Sequence, residues 1–326
     1  MKHYLAFDGG GTTTRAGLYD AEGRFLAEAT GGASNPVALG EETSLTVLTQ
    51  VGHAALAHVG GGVEAVGAAL SGAWTSGMGL WLADRLCERF GAARAVVCDD
   101  IRPVLFANIG DSPGIMATAG TGSSVVAQMP DGRSDFVGGR GELFGDDGSA
   151  FQIGQSALRA AARALDGLGP ATVLVTALPE AAGVESFRML PLWAGKASMR
   201  DVARLAETVA QAAGSDPVAA LVITEQARRM AEQVRAGFAK TGLPAEAPVL
   251  LNGSVFERCP LYLEAFRAHL KTLSVQAEPY IAPVRGHRAA LALVRAGRLP
   301  DTLLASVGCG EGDARGARGG EHGLDA

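Results

Sequence analysis

Residues 7–14 read Phe-Asp-Gly-Gly-Gly-Thr-Thr-Thr, with short apolar runs before them at 4–6 and after them at 16–19. This pattern predicts two strands, residues 3–8 and 14–19, joined by a glycine turn. Glycine adopts backbone torsions that other residues avoid, and it lets a ligand approach the main chain closely. Backbone N–H groups freed in such a turn can bind an anion, and a carboxylate beside them can hold a hydrated Mg²⁺. The stretch therefore predicts a phosphate and magnesium site with Asp8 next to the metal, or else an ordinary hairpin turn.

Length and composition limit the classes of protein to consider. The chain has 326 residues, enough for two domains of ordinary size or one large one. Hydrophobic residues make up 48% of it, so it can bury a sizeable core. Its 45 glycines and 6% aromatic residues favour a tightly turned α/β fold over a β-sandwich. The net charge of −6 gives no indication of a basic face for nucleic acid.

The sequence also indicates where the protein works. Met1 is followed at once by the first predicted strand, which leaves no room for a signal peptide. No apolar run approaches the length that crosses a bilayer. The cysteines show no C-x-x-C spacing, which argues against a zinc site or an iron–sulfur cluster, and we expect them to be free thiols. We therefore expect a cytoplasmic protein that binds neither nucleic acid nor membrane.

The pattern of the opening stretch recurs once. Residues 114–119 predict a strand, residues 120–124 a second turn of Gly-Thr-Gly-Ser-Ser, and residues 125–128 a return strand. A turn signal then closes the next hairpin in both copies, at 20–23 and at 130–133. The repeat predicts two related halves that face each other across a cleft, with each glycine turn offering N–H and O–H groups to phosphate.

Apolar periodicity predicts most of the remaining elements. Further strands are expected at 24–30, 63–70, 95–98 and 249–251, and helices at 42–58, 79–90, 151–165, 201–213, 217–240, 260–271 and 287–296. Residues 31–36 are expected to form a loop, and residues 171–191 to be irregular or weakly helical.

The common nucleotide-binding motifs are absent. The sequence contains no G-x-x-x-x-G-K-[ST], and no G-x-G-x-x-G opens a helix after a strand. None of the lysines lies in a glycine-rich turn. Any bound phosphate would therefore depend on backbone N–H groups, hydroxyls and Mg²⁺.

Five motifs occur in a familiar order. They are Asp8-Gly9-Gly10-Gly11-Thr12, then Asp100, then Gly120-Thr121-Gly122-Ser123, then Gly138-Gly139 through Gly145-Asp146, and last Asn252-Gly253-Ser254-Val255. In this respect residues 4–297 resemble the N-acetylglucosamine kinase-like branch of the BadF/BadG/BcrA/BcrD ATPase group, which has the actin/hexokinase/Hsp70 fold. The resemblance implies an α/β fold of two ribonuclease H-like lobes with a nucleotide cleft between them. The expected lobes are residues 1–113 and 114–300, followed by a disordered tail at 301–326.

The resemblance also implies an activity and a set of site residues. The activity would be ATP- and Mg²⁺-dependent phosphorylation of an amino-sugar hydroxyl, on N-acetylglucosamine or glucosamine at O6. Asp8 would hold the metal through water, and Asp100 would be the general base. The implied nucleotide contacts are Gly10, Gly11, Thr12, Thr13, Gly120, Thr121, Gly122, Gly253 and Ser254. The implied sugar contacts are Asn35, Ser71, Thr121, Gly139, Arg140 and Asp146.

Several of these residues have a plainer interpretation. Consecutive side chains at a strand end point in opposite directions, so only one acid of the pair Asp99 and Asp100 would reach a cleft, and the other would cap a helix or face solvent. Asp146 and Asp147 could instead be acids that stabilise the N-terminus of the following helix. Asn35 could be a turn former ahead of Pro36.

The sequence departs from the family pattern at three positions. Relatives often carry Trp at the position of Arg140, Glu at that of Asp147 and a basic residue at that of Thr13. The identity of the sugar therefore stays open between N-acetylglucosamine, glucosamine and an acidic derivative such as N-acetylmuramic acid. Two other functions stay open as well, an ATPase that activates a partner enzyme and a non-catalytic sugar-binding regulator. The chain could also form a homodimer.

Overall fold

The structure, a computed structural model, describes residues 2–57, 59–73 and 77–296, and the backbone of 307–308. The chain divides into two compact units. Unit 1 comprises Met1–Asp99 and Ala305–Ala326, and unit 2 comprises Asp100–Leu304. The predicted helix end at His58 and the predicted tail at 301–326 lie outside the described residues, apart from 307–308.

Unit 1 is built on one mixed sheet. Its strands are β1 (Lys2–Gly9), β2 (Thr14–Tyr19), β3 (Phe25–Gly31), β4 (Gly62–Leu70), β5 (Arg94–Cys98) and β11 (Val307–Gly308), in the spatial order β11-β5-β4-β1-β2-β3. β1, β2 and β3 pair antiparallel, whereas β4 and β5 run parallel to β1. The described helices are α1 (Pro36–Leu39), α2 (Glu41–Leu56) and α3 (Gly79–Phe90). Buried residues such as Phe7, Leu48 and Leu82 join the sheet to α2 and α3 in one apolar core.

Unit 2 has its own sheet and more helices. Its strands are β6 (Gly114–Ala119), β7 (Ser123–Gln128), β8 (Ser134–Gly138), β9 (Val249–Asn252) and β10 (Tyr280–Ile281), in the order β10-β9-β6-β7-β8. Its helices are α4 (Arg102–Ile109), α5 (Ala150–Leu165), α6 (Leu174–Ala182), α7 (Leu190–Ala194), α8 (Met199–Ala212), α9 (Pro217–Thr241), α10 (Ser254–Arg258), α11 (Pro260–Thr272) and α12 (His287–Arg295).

Strand order confirms the predicted internal repeat. Unit 1 contains the order β5-β4-β1-β2-β3, and unit 2 contains the matching order β10-β9-β6-β7-β8. In each sheet three antiparallel strands are followed by two strands parallel to the first. Because the carboxyl ends of parallel strands lie at one sheet edge, each unit presents its glycine turn at the edge where α/β folds bind ligands.

The segment 171–191 is more helical than its sequence indicates. It contains α6, the 3₁₀ turn Phe187–Met189 and the start of α7. Pro179 lies inside α6, and proline disfavours a helix interior. Leu174 and Leu178 are fully buried, so packing against unit 2 offsets the local preference.

The cysteines follow the prediction only in part. Cys98 and Cys259 are free and buried, as expected. Cys87 takes part in a disulfide bond, so the prediction of free thiols is wrong at this position. Among the described residues, no helix combines the length and the apolar character that crossing a membrane requires.

Asp216 fixes the start of the longest helix. It is 4% exposed, and its Oδ1 accepts hydrogen bonds from the N–H groups of Val218 and Ala219 at the N-terminus of α9. Its Oδ2 accepts from Thr172 Oγ1 (2.6 Å) and from the N–H of Val173 (2.7 Å), which precedes α6. Burial acts to raise the pKa of this carboxyl, but the hydrogen bonds outweigh it and the pKa lies below its usual value. Asp216 therefore ties two helices together in its ionised form.

We expect Asp216→Ala to lower the free energy of unfolding by about 2–3 kcal/mol at neutral pH, since a helix cap and a buried acceptor are lost together. A lowered native pKa gives stability that is present above the unfolded pKa and is lost as the pH falls through the native value. The difference in the free energy of unfolding between wild type and variant should therefore become smaller below about pH 4. Urea unfolding at a series of pH values measures this difference. The control is Asp166→Ala, because Asp166 is an exposed acid at the end of α5. An equal loss in both variants, or a gap that does not change with pH, would contradict this role.

Candidate functional site

The first glycine turn is tightly held but open on one side. The N–H of Gly10 donates to Thr13 O (3.1 Å), and the N–H groups of Ser34 and Ser71 donate to Gly10 O and Gly9 O (3.0 and 2.9 Å). The glycines of this turn do not adopt a positive φ, so unusual torsion is not what requires them. A Cβ on Gly9 would overlap Ser34 Oγ, whereas a Cβ on Gly10 or Gly11 would meet no atom within 4 Å. Gly9 is thus required by packing, and Gly10 and Gly11 leave the backbone accessible to a ligand.

Buried hydroxyls fix the neighbouring loop. Thr14 Oγ1 donates to Gly32 O (2.7 Å) and lies 2.7 Å from Ser34 Oγ, and Ser44 Oγ donates to Ser34 O (2.6 Å). Thr14, Ser34 and Ser44 are all fully buried. Because this network anchors residues 32–34 to β2 and α2, the position of Asn35 is defined by the core of unit 1.

Asn35 has a structural role that leaves part of its side chain available. Its Oδ1 caps α1 by accepting from the N–H groups of Val37 (2.9 Å) and Ala38 (3.2 Å), so the turn-former interpretation is correct. A Cβ on Gly72 would overlap the same Oδ1, which places Asn35 beside the Ser71-Gly72 turn after β4. Asn35 Nδ2 makes no hydrogen bond within the described part of the chain, so it can still donate to a ligand.

Three acids lie at or just after strand ends at this edge. The register aligns Asp8 of β1 with Ala69 of β4 and Ala69 with Cys98 of β5, so Asp99 and Asp100 follow directly beyond. Asp99 is 6% exposed, so it does not face solvent. Asp100 is partly exposed. Of the two adjacent acids, Asp100 is therefore the more accessible to a ligand.

The second glycine turn is tied to the start of α5. The N–H of Gly120 donates to Gly122 O (2.9 Å), while Gly120 O and Thr121 O accept from the N–H groups of Ala150 (2.9 Å) and Phe151 (3.2 Å). A Cβ on Gly122 would lie 2.8 Å from an oxygen of the Asp146 carboxylate. This turn and Asp146 are thus in direct contact within unit 2.

Asp146 has the features of a functional acid. It is 5% exposed, and its φ of 59° is in the left-handed region that non-glycine residues rarely adopt. Burial raises the pKa of its carboxyl and the charges of Glu142 and Asp147 raise it further, while the backbone N–H groups of Ser123 and Gly141 act to lower it. The helix N-cap is Ser149, which accepts from Gln152 N (3.1 Å), so Asp146 is not needed to cap α5.

Arg140 belongs to the loop that leads to this acid and has no partner among the described residues. It is exposed, and it makes no hydrogen bond or ion pair with any described residue. The backbone N–H of the next residue, Gly141, acts to lower the pKa of Asp146, and a Cβ on Gly145 would lie 3.5 Å from Arg140 Cβ. Gly139 precedes it with a φ of 65° and packs on Ser124, where a Cβ would approach to 2.9 Å. The predicted sugar contacts Gly139, Arg140 and Asp146 therefore belong to one folded loop.

A cavity of about 640 Å³ opens in unit 2 beside the second glycine turn. Thr121 and Ser254 line it, as do Ala203, Ala206 and Ala210 on one face of α8, with charged side chains of Arg200, Arg204, Glu207 and Arg258. Gly253 precedes Ser254 with a φ of 103°, and a Cβ there would overlap Ala119 O and lie 3.0 Å from Gly120 N. The predicted adenosine contacts and the second turn thus share one wall of the cavity.

Comparison with known proteins gives the family. A model of the BadF/BadG/BcrA/BcrD ATPase family matches residues 7–291. The chain belongs to this family. The N-acetylmuramic acid/N-acetylglucosamine kinase of Clostridium acetobutylicum is 26% identical over 277 residues, 83% of this chain and 90% of that protein. The glucosamine kinase GspK of Vibrio cholerae is 32% identical over 182 residues, 53% of this chain and 59% of that protein.

A solved structure of a similar protein supports the predicted fold. The crystal structure of a protein from Chromobacterium violaceum, provisionally named N-acetylglucosamine kinase, has a TM-score of 0.72 at 29% identity and covers 90% of this chain and 98% of that one. Together with the repeated strand order, this likeness confirms the predicted α/β fold with two ribonuclease H-like lobes.

In this BadF/BadG/BcrA/BcrD family member, the first glycine turn carries donors that suit magnesium. The Asp8 carboxylate and the Thr12 and Thr13 hydroxyls are oxygen ligands, which Mg²⁺ prefers. Thr12 is exposed, and the backbone at Gly10 and Gly11 faces open space. These residues fit a hydrated Mg²⁺ together with phosphate oxygens.

Sequence reasoning missed the residues of α8. Arg200, Arg204 and Glu207 line the cavity, but in the sequence they belong to an ordinary amphipathic helix. No local signal links that helix to a glycine turn far earlier in the chain. The alternation of charged residues with Ala203, Ala206 and Ala210 is the one feature that could have indicated a helix face with room for a flat ligand.

Proposed function

We propose that this protein transfers the γ-phosphate of ATP, with Mg²⁺, to a hydroxyl of an amino sugar, N-acetylglucosamine or glucosamine at O6. Membership of an ATPase family supports the use of ATP. Relatives named for kinase activity on N-acetylmuramic acid, N-acetylglucosamine and glucosamine support an amino sugar as the acceptor.

One observation carries the proposal. The second glycine turn touches Asp146 through Gly122, lines the 640 Å³ cavity through Thr121 and packs on Gly253 through Gly120. A turn in contact with a buried carboxylate on one side and a nucleotide-sized cavity on the other suits a γ-phosphate that passes between two substrates.

Different residues carry out different parts of the proposed phosphate transfer. Asp100 accepts the proton of the attacking sugar hydroxyl as the new O–P bond forms and the bond to the bridging oxygen of ADP breaks. The N–H groups of the two glycine turns, Gly10–Thr13 and Gly120–Gly122, bind the phosphate oxygens. Asp8 would hold Mg²⁺ through water, and the ion, when bound, would neutralise charge on the phosphates.

The acceptor is held by polar groups around it. Asp146, when ionised, accepts hydrogen bonds from vicinal hydroxyls, and Asn35 donates through its Nδ2. Ser71 lies beside Asn35, while Gly139 and Arg140 belong to the loop of Asp146. A cytoplasmic location and a homodimer stay predictions from the sequence.

A panel of sugars tests the proposed function. N-acetylglucosamine, glucosamine, N-acetylmuramic acid and glucose are each incubated with Mg²⁺ and ATP, while ADP release and the mass of the product are followed. We expect sugar-dependent ADP release together with a mass increase of one phosphate on an amino sugar. ATP hydrolysis without a phosphorylated sugar would favour a partner-activating ATPase, and sugar binding without turnover would favour a regulator.

Arg140 gives a prediction about which amino sugar is preferred. Its guanidinium is exposed and has no partner in the described structure, and Arg140 belongs to the loop that leads to Asp146, so it can pair with a carboxylate on the sugar. We expect Arg140→Gln to lower the ratio of kcat/KM for N-acetylmuramic acid to that for N-acetylglucosamine by about 10- to 100-fold, the value of one charge-assisted hydrogen bond. Arg133→Gln, at a hairpin turn where Arg133 pairs with Asp131, is the control. An unchanged ratio would remove Arg140 from sugar selection.

A further inference from the structure

Helices α9 and α11 hold the backbone that follows Asp146. Gln226 Oε1 accepts from the N–H of Gly148 (2.8 Å), and Gln233 Nε2 donates to Asp147 O (2.7 Å). Tyr262 on α11 donates its hydroxyl to Gly148 O (2.7 Å). Gln226 is 2% exposed and Tyr262 is fully buried, so their bonds to Gly148 lie in the protein interior.

Arg229 adds an ion pair to this set. Its Nη1 lies 2.8 Å from Asp147 Oδ1 and its Nε lies 3.2 Å from Glu225 Oε1. Residues 226, 229 and 233 lie on one helix face, because they are spaced by three and four residues. Hydrogen bonds from Arg228 and Arg229 lower the pKa of Glu225 to about 2, so Glu225 stays ionised and holds Arg229 in place at neutral pH.

The charge of Asp147 matters because of its neighbour. Asp146 is buried in a left-handed conformation, and the carboxylates of Glu142 and Asp147 face it from its own loop. Arg140 lies on the same loop, and from the packed helices Arg229 is the cation that reaches Asp147. Two neighbouring carboxylates disfavour ionisation of Asp146 unless one of them is neutralised.

We propose that Arg229 is a positioning residue of the sugar site, which acts through Asp147 to keep the Asp146 carboxylate oriented and ionised for binding sugar hydroxyls. This inference rests on the proposed function, because it assumes that Asp146 binds the acceptor. Arg229 pairs with Asp147 across 82 residues of sequence and touches neither nucleotide cavity nor glycine turn in the described structure. Loss of the Arg229 side chain should therefore weaken binding of the sugar and leave binding of ATP unchanged.

The sign of the expected pH effect follows from the charges. Without Arg229, the negative charge of Asp147 is less compensated and raises the pKa of Asp146 further. The ionised form of Asp146 then begins to disappear at a higher pH, which moves the acid limb of kcat/KM for the sugar upward.

The experiment compares Arg229→Gln with Arg228→Gln. Arg228 is the neighbouring arginine, which pairs with Glu225 and Glu232 at similar exposure but does not contact Asp147. We expect Arg229→Gln to raise KM for the sugar roughly three- to tenfold at neutral pH and to move the acid limb upward by several tenths of a pH unit. KM for ATP should be unchanged, and Arg228→Gln should resemble wild type. Adding Asp147→Asn to Arg229→Gln should move the acid limb back, and Arg229→Lys should retain most of the wild-type behaviour.

Two outcomes would overturn the inference. One is an Arg229→Gln enzyme that cannot be distinguished from Arg228→Gln. The other is a raised KM whose pH profile neither moves nor responds to Asp147→Asn, which would indicate a structural role only. Asp146→Asn separates this from failure of the proposed function. If it keeps wild-type KM for the sugar, the sugar role of Asp146 is itself wrong, whereas if it loses sugar binding and Arg229→Gln does not, only the role of Arg229 fails.

Discussion

Asp100→Asn is expected to lower kcat for sugar phosphorylation by about 10²- to 10⁴-fold, the usual contribution of a general base. Asparagine has nearly the same shape but cannot take the proton of the attacking hydroxyl. KM for ATP should be unchanged, because Asp100 is assigned to the acceptor and not to the nucleotide. Single-turnover phosphorylation at saturating sugar and ATP measures the chemical step directly and excludes an effect on product release.

Asp99→Asn is the matched control for this prediction. Asp99 is the adjacent acid, but it is buried whereas Asp100 is partly exposed. We expect Asp99→Asn to lower stability, because a buried carboxylate loses its interactions, and to keep most of the turnover of the folded enzyme. If Asp99→Asn abolished turnover and Asp100→Asn kept it, the general base would be Asp99 and the assignment would be reversed.

The repeat of the fold was predictable because it rests on local signals. Each copy has an apolar strand, a glycine turn and a return strand, and these patterns depend on neighbours in sequence. The reason for the glycines was not predictable in the same way. Gly9 is required because Ser34, which is distant in sequence, packs against its Cα. The helix α6 was underestimated for a similar reason, since burial of Leu174 and Leu178 outweighs an internal proline.

The residues of the candidate site also differ in whether the sequence indicated them. The order of short motifs indicated Asp146 and Gly253, and the structure gives both of them unusual backbone conformations and close contacts with the second glycine turn. The α8 wall of the cavity and the pairing of Arg229 with Asp147 come from helices that meet the loop only in three dimensions. Sequence patterns depend on residues that are close together along the chain. Contacts between distant segments therefore leave no signal in a single sequence.

Gly253→Ala is expected to reduce kcat/KM for ATP by about 100-fold, which is the typical cost of displacing binding groups by about 1 Å. Gly253 adopts a φ of 103° and a ψ of 156°, a region that is essentially restricted to glycine. A Cβ there would overlap Ala119 O and lie 3.0 Å from Gly120 N, so the second glycine turn has to move away. Steady-state kinetics with ATP varied at saturating sugar measures the effect, and urea unfolding measures the accompanying loss of stability.

Gly40→Ala separates backbone strain from displacement of the turn. Gly40 has nearly the same conformation, with a φ of 78° and a ψ of 161°, and it also stands at the N-cap of a helix. A Cβ at Gly40 would meet no atom within 4 Å, so this variant carries the torsional strain, about 1–3 kcal/mol, without a clash. Both variants should therefore lose stability, but only Gly253→Ala should lose affinity for ATP, because only Gly253 contacts the turn that we propose binds phosphate. If the two variants lost equal stability and both kept wild-type kcat/KM for ATP, the contact between Gly253 and Ala119 would have no part in nucleotide binding, and the second glycine turn would have to be positioned by its bonds to Ala150 and Phe151 alone.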